Sequence, residues 1–366
     1  MIEQVLREWP PGFGGVERVA HELASVWGGV TYSFDVQSQG AAGEDPLPVA
    51  YPRRRLPSAN PFGRLHLPLP SALLWRLLRS TTPLHGHLPS PGVLLVLMLA
   101  RLVRPRRHVT AHWHCFLEPG SGINGKLFEF YQWLALRLVQ HLSGVITTSP
   151  TLARELQRSG CAVERLFVLP CCLSQRQEQD YLALPWPEEH VLLRVLFIGR
   201  LDSYKRLDWL LEALANVRGP FQLAVVGDGP RRMYFEQLAQ CLFSQPSPVK
   251  FYGRLSERDK LEQIAQAGVL VLPSDSSNEA FGIVQLEAMA AGRPALAFDK
   301  PRSGMGWVGQ LSSLSWSQSP KDLVVVLQRL VDNPQLRREL SVQARQRYLT
   351  FFGRGVWERQ LARFGE

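Results

Sequence analysis

A chain of 366 residues exceeds the usual single domain of roughly 100–150, so length alone calls for two or three domains. Hydrophobic residues at 45% and charged residues at 20% support packed cores and exclude a disordered or collagen-like chain. The net charge of +9 is spread, with 18 Lys/Arg against 13 Asp/Glu up to Asp180 and 23 against 19 beyond it; without a basic tail, a paired Cys/His finger or an RNP-like segment, this excludes general nucleic-acid binding and suits phosphorylated ligands or an anionic membrane surface.

In chain order, the start reads as a strand at 2–8, the loop WPPGFGG at 9–15, and an amphipathic helix from Val16 to about Val26. Strand, glycine turn and helix form the opening unit of a nucleotide-binding type of α/β domain. No secretory signal is evident at MIEQVLREWPP. Residues 40–70, rich in Pro, Gly and Arg, read as irregular. A short helix follows at 71–80, and VLLVLMLA at 93–100 is a buried strand or helix, far below the roughly 20 residues that span a bilayer. Next come a strand at 107–114, a long helix at 125–142, a strand at 143–150 and a helix at 151–160. The apolar pattern lapses over CCLSQRQEQDYLALPWPEEH at 171–190, which reads as a linker. Beyond it, strands at 191–200, 221–230, 249–256 and 268–274 alternate with helices at 206–217, 234–243, 259–267 and 281–292, the pattern of a covered parallel sheet. Helices near 320–332 and 334–349 lead to a terminal segment at 354–364 containing Trp357. The five cysteines, at 115, 161, 171, 172 and 241, form neither a CxxC pair nor an even disulfide framework, which favours a reducing, cytoplasmic setting.

In such sheets ligands sit outside the carboxyl ends of the strands, so chemistry is sought in the strand-to-helix turns and in a cleft between two α/β domains. Gly14 and Gly15 open the first helix, where bare N–H groups are able to cradle a phosphate. In FIGRLDSYKR, Gly199 is followed by Arg200 and Lys205, two cations placed to neutralise a leaving diphosphate. In SNEAFGIVQLEAMAAGRP, Glu279 precedes a helix opened by the N–H groups of Phe281, Gly282 and Ile283, and Glu287 lies eight residues on. The loop position of Glu279 lets the two carboxylates reach one ligand from different depths. His112 and His114 share one side of their strand. With only Cys115 or Glu118 nearby to complete a ligand set, no metal is expected, and a substrate hydrogen bond is the better reading.

Together, GGVER at 14–18, Gly199-Arg200 with Lys205, GDGP at 227–230 and EAFGIVQLEAMAAGRP at 279–294 resemble the retaining, nucleotide-sugar-dependent glycosyltransferases of family 4, with the two-domain GT-B fold. The segments AHWH, VITTSP and PRSGMGWVGQ resemble members that add mannose or related sugars in bacterial polysaccharide or lipopolysaccharide assembly. The resemblance implies two Rossmann-like domains whose parallel sheets face each other across a cleft. An acceptor domain would span 1–175 and a nucleotide-sugar domain 190–350, with a terminal helix at 351–366 packing back on the first. It implies that Gly15 lies near the diphosphate, that Arg200 and Lys205 bind it, and that Glu279 contacts the transferred sugar. The N–H groups of Phe281, Gly282 and Ile283 would hold sugar hydroxyls or phosphate, Glu287 the ribose, and Gly253 with Arg254 the base. His114 matches the histidine that touches the donor sugar, with His112 as the alternative register. Cys115-Phe116 stands where related members often have Ser-Asp, and LSSLSWSQSPKDL follows Gln310 in place of a glycine-rich return to a strand.

The implied activity is transfer of a hexose, mannose favoured, from a GDP- or UDP-linked donor to a glycan or lipid-linked acceptor, without a further cofactor. The rival readings are a sugar-nucleotide epimerase or phosphorylase of the same fold, or an inactive glycosyltransferase-like subunit. Arg53-Arg54-Arg55 and the basic residues at 101–107 are candidates for peripheral contact with the anionic cytoplasmic face of an inner membrane.

Overall fold

Alternating strand-length and helix-length runs give an α/β protein built on two parallel sheets. The computed structural model describes residues 1–8, 14–34, 50–59, 66–118, 122–187 and 192–364, and divides into two compact units, Met1–Leu169 and Pro170–Glu366.

The first unit runs β1 (Glu3–Leu6), α1 (Gly15–Trp27), β2 (Thr31–Phe34), β3 (Arg53–Leu56), β4 (Ser58–Ala59), β5 (Leu67–Pro68) and α2 (Ala72–Arg79). It continues with β6 (Leu84–Leu88), α3 (Pro91–Val103), β7 (Val109–Trp113), α4 (Gly122–Val139), β8 (Gly144–Thr147), α5 (Pro150–Arg158) and β9 (Leu166–Val168). Seven strands form a parallel sheet in the order β3-β2-β1-β6-β7-β8-β9, and β4 and β5 pair antiparallel beside it. The greasy run at 93–100 is thus helix, not strand, started by Pro91 at its first turn.

Two central strands depart from the apolar runs usual in a doubly covered sheet. β6 is LHGHL and β7 is VTAHW, both buried throughout. The register pairs Gln4 with His85, His85 with Thr110, and His87 with His112, so these polar residues share one face of the sheet. That face lies under α1, where Gln4 Nε2 donates to the Ala20 carbonyl at 3.3 Å and Trp27 meets the edge of His85. One basic residue expected to face lipid is instead structural. Arg107 is buried, pairs with Glu3 at 2.6 Å, and donates to the carbonyls of Thr82 and Leu77 at 2.7 Å each.

The second unit runs α6 (Gln175–Leu182), β10 (Leu193–Ile198), α7 (Leu207–Ala215), β11 (Phe221–Val226), α8 (Arg232–Leu242), β12 (Val249–Gly253), α9 (Glu257–Gln266) and β13 (Val269–Leu272). It ends with α10 (Val284–Ala290), β14 (Ala295–Ala297), α11 (Met305–Val308), α12 (Leu323–Asp332), α13 (Pro334–Phe351) and α14 (Arg354–Phe364). Its five-stranded sheet is parallel, in the order β12-β11-β10-β13-β14.

The stretch read as a linker contains a helix. Ser174 and Gln177 form a reciprocal capping box that starts α6, and Tyr181 anchors it, while residues 188–190 of that stretch lie outside the described residues. In the terminal segment, α14 buries Trp357 and packs on α13 within the second unit.

Candidate active site

The strand order of the second sheet reverses between β10 and β13, which is where a doubly wound sheet opens a ligand crevice at its carboxyl edge. The two loops leaving those strands, 199–206 and 273–283, are tied together there. Asp275 N–H and Ser274 Oγ both donate to the Tyr204 carbonyl, at 3.1 and 2.9 Å. Arg206, in the left-handed region at φ 48°, pairs with Asp208 at 2.8 Å and Asp275 at 3.0 Å, completing the joint.

Within this frame Lys205 Nζ donates to Glu279 Oε2 in a tight ion pair. Lys205 is only 8% exposed. Burial alone would lower its affinity for a proton, but the Glu279 charge and hydrogen bond, with Tyr204, hold the ammonium above its ordinary range. Arg200 differs: its side chain is 66% exposed and reaches Asp202 at 3.5 Å. The two cations expected to act alike are therefore one buried, pre-paired ammonium and one solvated guanidinium.

The Glu279 loop is held from behind. Ser303 Oγ donates to the Glu279 carbonyl at 2.5 Å, and Gly304 N–H to the Ala280 carbonyl at 2.7 Å. Gln285 Nε2 donates to the carbonyls of Phe281 and Met305, at 2.9 and 3.2 Å. Gly282 has φ +74°, and a Cβ there would lie 2.5 Å from Leu272 Cδ2, so the turn requires glycine. The helix opens three residues later than expected, at Val284, and the N–H groups of Phe281, Gly282 and Ile283 donate to no described residue. Gly227 of GDGP has φ +132° and packs against the Gly199 carbonyl oxygen, 1.9 Å from where its Cβ would be, so that motif fixes the Arg200 loop by backbone contact. Gly253 accepts from Gly227 N–H at 2.7 Å, and Arg254 beyond it is exposed.

Glu287 is 0% exposed, and Lys260 of α9 donates to its Oε1 at 3.0 Å while also meeting Glu257 at 2.9 Å. Lys260 escaped sequence reasoning, since DKLEQ reads as an ordinary solvated helix face. Arg293, the last cation of the glutamate motif, is scaffold: its guanidinium is buried on the carbonyls of Ile264, Pro185, Ala265 and Ala291.

In the first unit the sheet reverses between β1 and β6. Gly14 and Gly15 stand at the start of α1 as expected. The N-terminus is not bare, however: the Glu17 side chain turns back on it, with its Oε2 2.0 Å from where a Gly14 Cβ would lie, and burial raises its pKa. A carboxyl group thus already stands where a phosphate was expected.

The expected histidine pair belongs to a group of four. His112 is 0% exposed and His114 5%. Their rings stack at 4.1 Å, and His85 and His87 adjoin them from β6. His87 Nδ1 meets His114 Nε2 at 2.8 Å and His87 Nε2 meets Gln4 Oε1 at 2.8 Å, while His85 Nδ1 meets Thr110 Oγ1 at 2.8 Å. Burial, with the neighbouring imidazoles, pushes His85, His112 and His114 well below the usual value, and burial alone lowers His87 to about 3. His85, His87 and His112 each bring one ligand atom within 4.8 Å of the others, a grouping that the metal reading of the sequence did not include. Both nitrogens of His87 already hold partners, so a cation there would have to displace one. The signal for His85 and His87 was legible as the HGH of β6, which repeats the HWH at 112–114.

Comparison with known proteins gives two family matches. Residues 187–347 match Glycosyl transferases group 1, and residues 13–175 match Glycosyltransferase Family 4. The D-rhamnosyltransferase WbpZ of Pseudomonas aeruginosa is 29% identical over 160 residues, 43% of this chain and 41% of that enzyme. The phosphatidyl-myo-inositol mannosyltransferase of Mycobacterium leprae is 34% identical over 143 residues, 37% of each chain. The matched stretches span less than half the length of these curated relatives. Among solved structures, Anabaena Alr3699/HepE in complex with UDP superposes with a TM-score of 0.73 at 18% identity, over 99% of this chain and 98% of that one. The lipopolysaccharide outer core galactosyltransferase WaaB in its apo form gives 0.72 at 18% identity, with the same coverage. At that identity the likeness is one of fold.

Proposed function

We propose that this chain, whose two parts match Glycosyl transferases group 1 and Glycosyltransferase Family 4, is a glycosyltransferase of the GT-B type that moves a hexose from a nucleoside diphosphate sugar to a hydroxyl of a glycan or lipid-linked glycan, retaining the anomeric configuration. The observation that carries the reading is the buried Lys205–Glu279 pair at the reversal point of the second sheet, beside the undonated N–H groups of Phe281, Gly282 and Ile283. Lys205, with Arg200 free to swing from solvent, offsets the charge of the departing diphosphate. Glu279 orients the sugar, and a sugar hydroxyl is the ligand expected of His114. The acceptor hydroxyl attacks from the face the diphosphate leaves: its C–O bond forms as the bond to phosphate breaks, and its proton passes to a leaving phosphate oxygen. Stabilising that departing charge is the main catalytic task. Arg254 and Gly253 bound the base.

Relatives named for mannose and for D-rhamnose, a 6-deoxymannose, weigh toward a manno-configured donor, whereas the UDP complex of a fold neighbour weighs toward uridine. A thermal-shift screen against GDP, UDP and ADP decides between bases, because a ligand raises stability with its ratio of concentration to Kd. No response to any of them would count against the reading. For Glu287 the ribose role predicts that Glu287→Gln weakens binding of the preferred nucleoside diphosphate roughly 10-fold or more, the scale of a hydrogen bond to a charged group. Lys260 keeps Glu257 as a partner in that variant, so calorimetric affinity falls further than fold stability does.

A lipid-linked acceptor brings the first unit to a membrane surface. Helix α4 exposes Leu127, Phe128, Phe130 and Trp133, and exposed cations include Arg54, Arg55, Arg104 and Arg106. No helix among the described residues is long and apolar enough to cross a bilayer. The protein is expected to float with anionic vesicles on the cytoplasmic side's lipid composition and to lose that behaviour in a Phe130→Ser/Trp133→Ser variant. Equal flotation with zwitterionic vesicles would remove the electrostatic part of this reading.

A further inference from the structure

We propose that Gln4 and His87 are positioning residues that hold His114 as its Nε2–H tautomer, so that His114 presents a bare Nδ1 acceptor to a sugar hydroxyl. The assignment rests on the reading of His114 as a residue of the donor-sugar site, and deepens it by stating which proton that site lacks.

The Ala20 carbonyl fixes the direction of the file. The Ala20 carbonyl only accepts, so the Gln4 side-chain atom 3.3 Å from it is the amide nitrogen. Gln4 therefore turns its Oε1 toward His87 Nε2, 2.8 Å away, and that oxygen also only accepts. His87 Nε2 must carry the proton. A neutral imidazole protonated at Nε2 has a lone pair at Nδ1, and His114 Nε2 lies 2.8 Å from that atom, so His114 donates. The two rings are within 20° of coplanar, which lets the in-plane N–H of one meet the in-plane lone pair of the other. His114 Nδ1 is then left without a proton, and it makes no hydrogen bond to a described residue.

Neutrality of both rings is required at each step. Burial supplies it, pushing His87 to about 3 and His114 well below the usual imidazole value. The reversed file would need Gln4 Oε1 to face the Ala20 carbonyl oxygen at 3.3 Å, two acceptors in contact. The wiring is also selective within the cluster. His112 stacks on His114, yet neither of its ring nitrogens has a hydrogen-bond partner among the described residues, so packing alone does not impose the file on its neighbours.

The consequence is chemical discrimination. Phosphate oxygens at neutral pH are acceptors, and a bare imidazole nitrogen repels them. A sugar hydroxyl donates and is held. His114 is thereby tuned for a hydroxyl rather than for a phosphate.

The test is long-range proton–nitrogen correlation NMR on the full chain with 15N-labelled histidine and no ligand present, with His114 assigned by its loss in His114→Gln. Wild type is expected to show Nε2–H at both positions 87 and 114. In His87→Leu the His114 signals should move toward a mixture of tautomers, and kcat/KM for sugar transfer should fall about 10-fold, the effect of one hydrogen bond. His87→Gln should restore both, because a glutamine there accepts from His114 and donates to Gln4. Should His87→Leu fail to fold, Gln4→Leu breaks the same file at its far end. A wild-type His114 protonated at Nδ1, or one whose signals ignore the loss of the His87 or Gln4 partner, overturns the proposal. The tautomer is read without donor or acceptor, so inactivity toward every sugar nucleotide would overturn the proposed function and leave this assignment standing.

Discussion

Lys205→Met is expected to lower kcat/KM for sugar transfer by about 10²- to 10³-fold, the loss that follows removal of one preorganised group facing developing negative charge. The ammonium is buried, charged at neutral pH because Glu279 holds it so, and carried on a loop braced by Ser274, Asp275 and Arg206. Such a group needs no rearrangement when charge builds on the leaving phosphate. The same substitution strands the Glu279 carboxylate, so a loss of stability of about 3 kcal/mol accompanies it, the low end for a broken buried pair. A double variant separates the two effects. Lys205→Met/Glu279→Gln should recover most of the melting temperature, since an amide tolerates the dry site, and none of the activity. Recovered turnover in the double variant would make the pair a brace and sink its catalytic role. Arg200→Ala should cost less, because its exposed guanidinium is partly screened by water and by Asp202.

How far residues announced themselves depended on whether their partners were close in sequence. The strand and helix rhythm was legible because each run carries its own period, and the eight-residue interval from Glu279 to Glu287 was legible as one motif. Gly199 and Lys205 were readable as a strand-end turn. By contrast, Gln4 meets His87 across 83 residues and Lys260 meets Glu287 across 27. Only sheet register and helix placement bring those pairs together. Arg107 looked like one basic residue among several, and its burial follows from a partner, Glu3, 104 residues away. Helix α6 was masked for a different reason. Its eight residues carry a single buried apolar anchor, so periodicity is silent and only the Ser174–Gln177 cap marks it. The alternation in LHGHL and VTAHW is the usual mark of a strand with one wet face, and here the polar face is dry because α1 covers it.

That dry polar face makes the first unit sensitive to acid. Between pH 7.5 and 5.5 it should lose on the order of 5 kcal/mol of stability, about 1.4 kcal/mol for each of four imidazoles. In the folded state burial holds His85, His112 and His114 well below 6.5 and His87 near 3, while in the unfolded chain all four titrate near 6.5. Above that value both states are neutral and the contribution is complete. As pH falls through it, only the unfolded chain takes up protons, so stability drains away toward the lower, folded-state values. A loss of this size is comparable with the whole stability of a typical domain, roughly 5–15 kcal/mol, so local opening should become visible near pH 5.5. Hydrogen exchange of peptides covering β6 and β7, followed in urea at each pH, reads the effect within this unit alone. His112→Leu offers the sharpest control, because its ring nitrogens give up no hydrogen bond when lost. The variant should match wild type at pH 7.5 and lose about a quarter less on acidification, since one of four equivalent proton sites has gone. A flat profile from pH 7.5 to 5.5 in wild type would mean that the four rings are not held neutral, and would remove the physical basis for a fixed tautomer at His114.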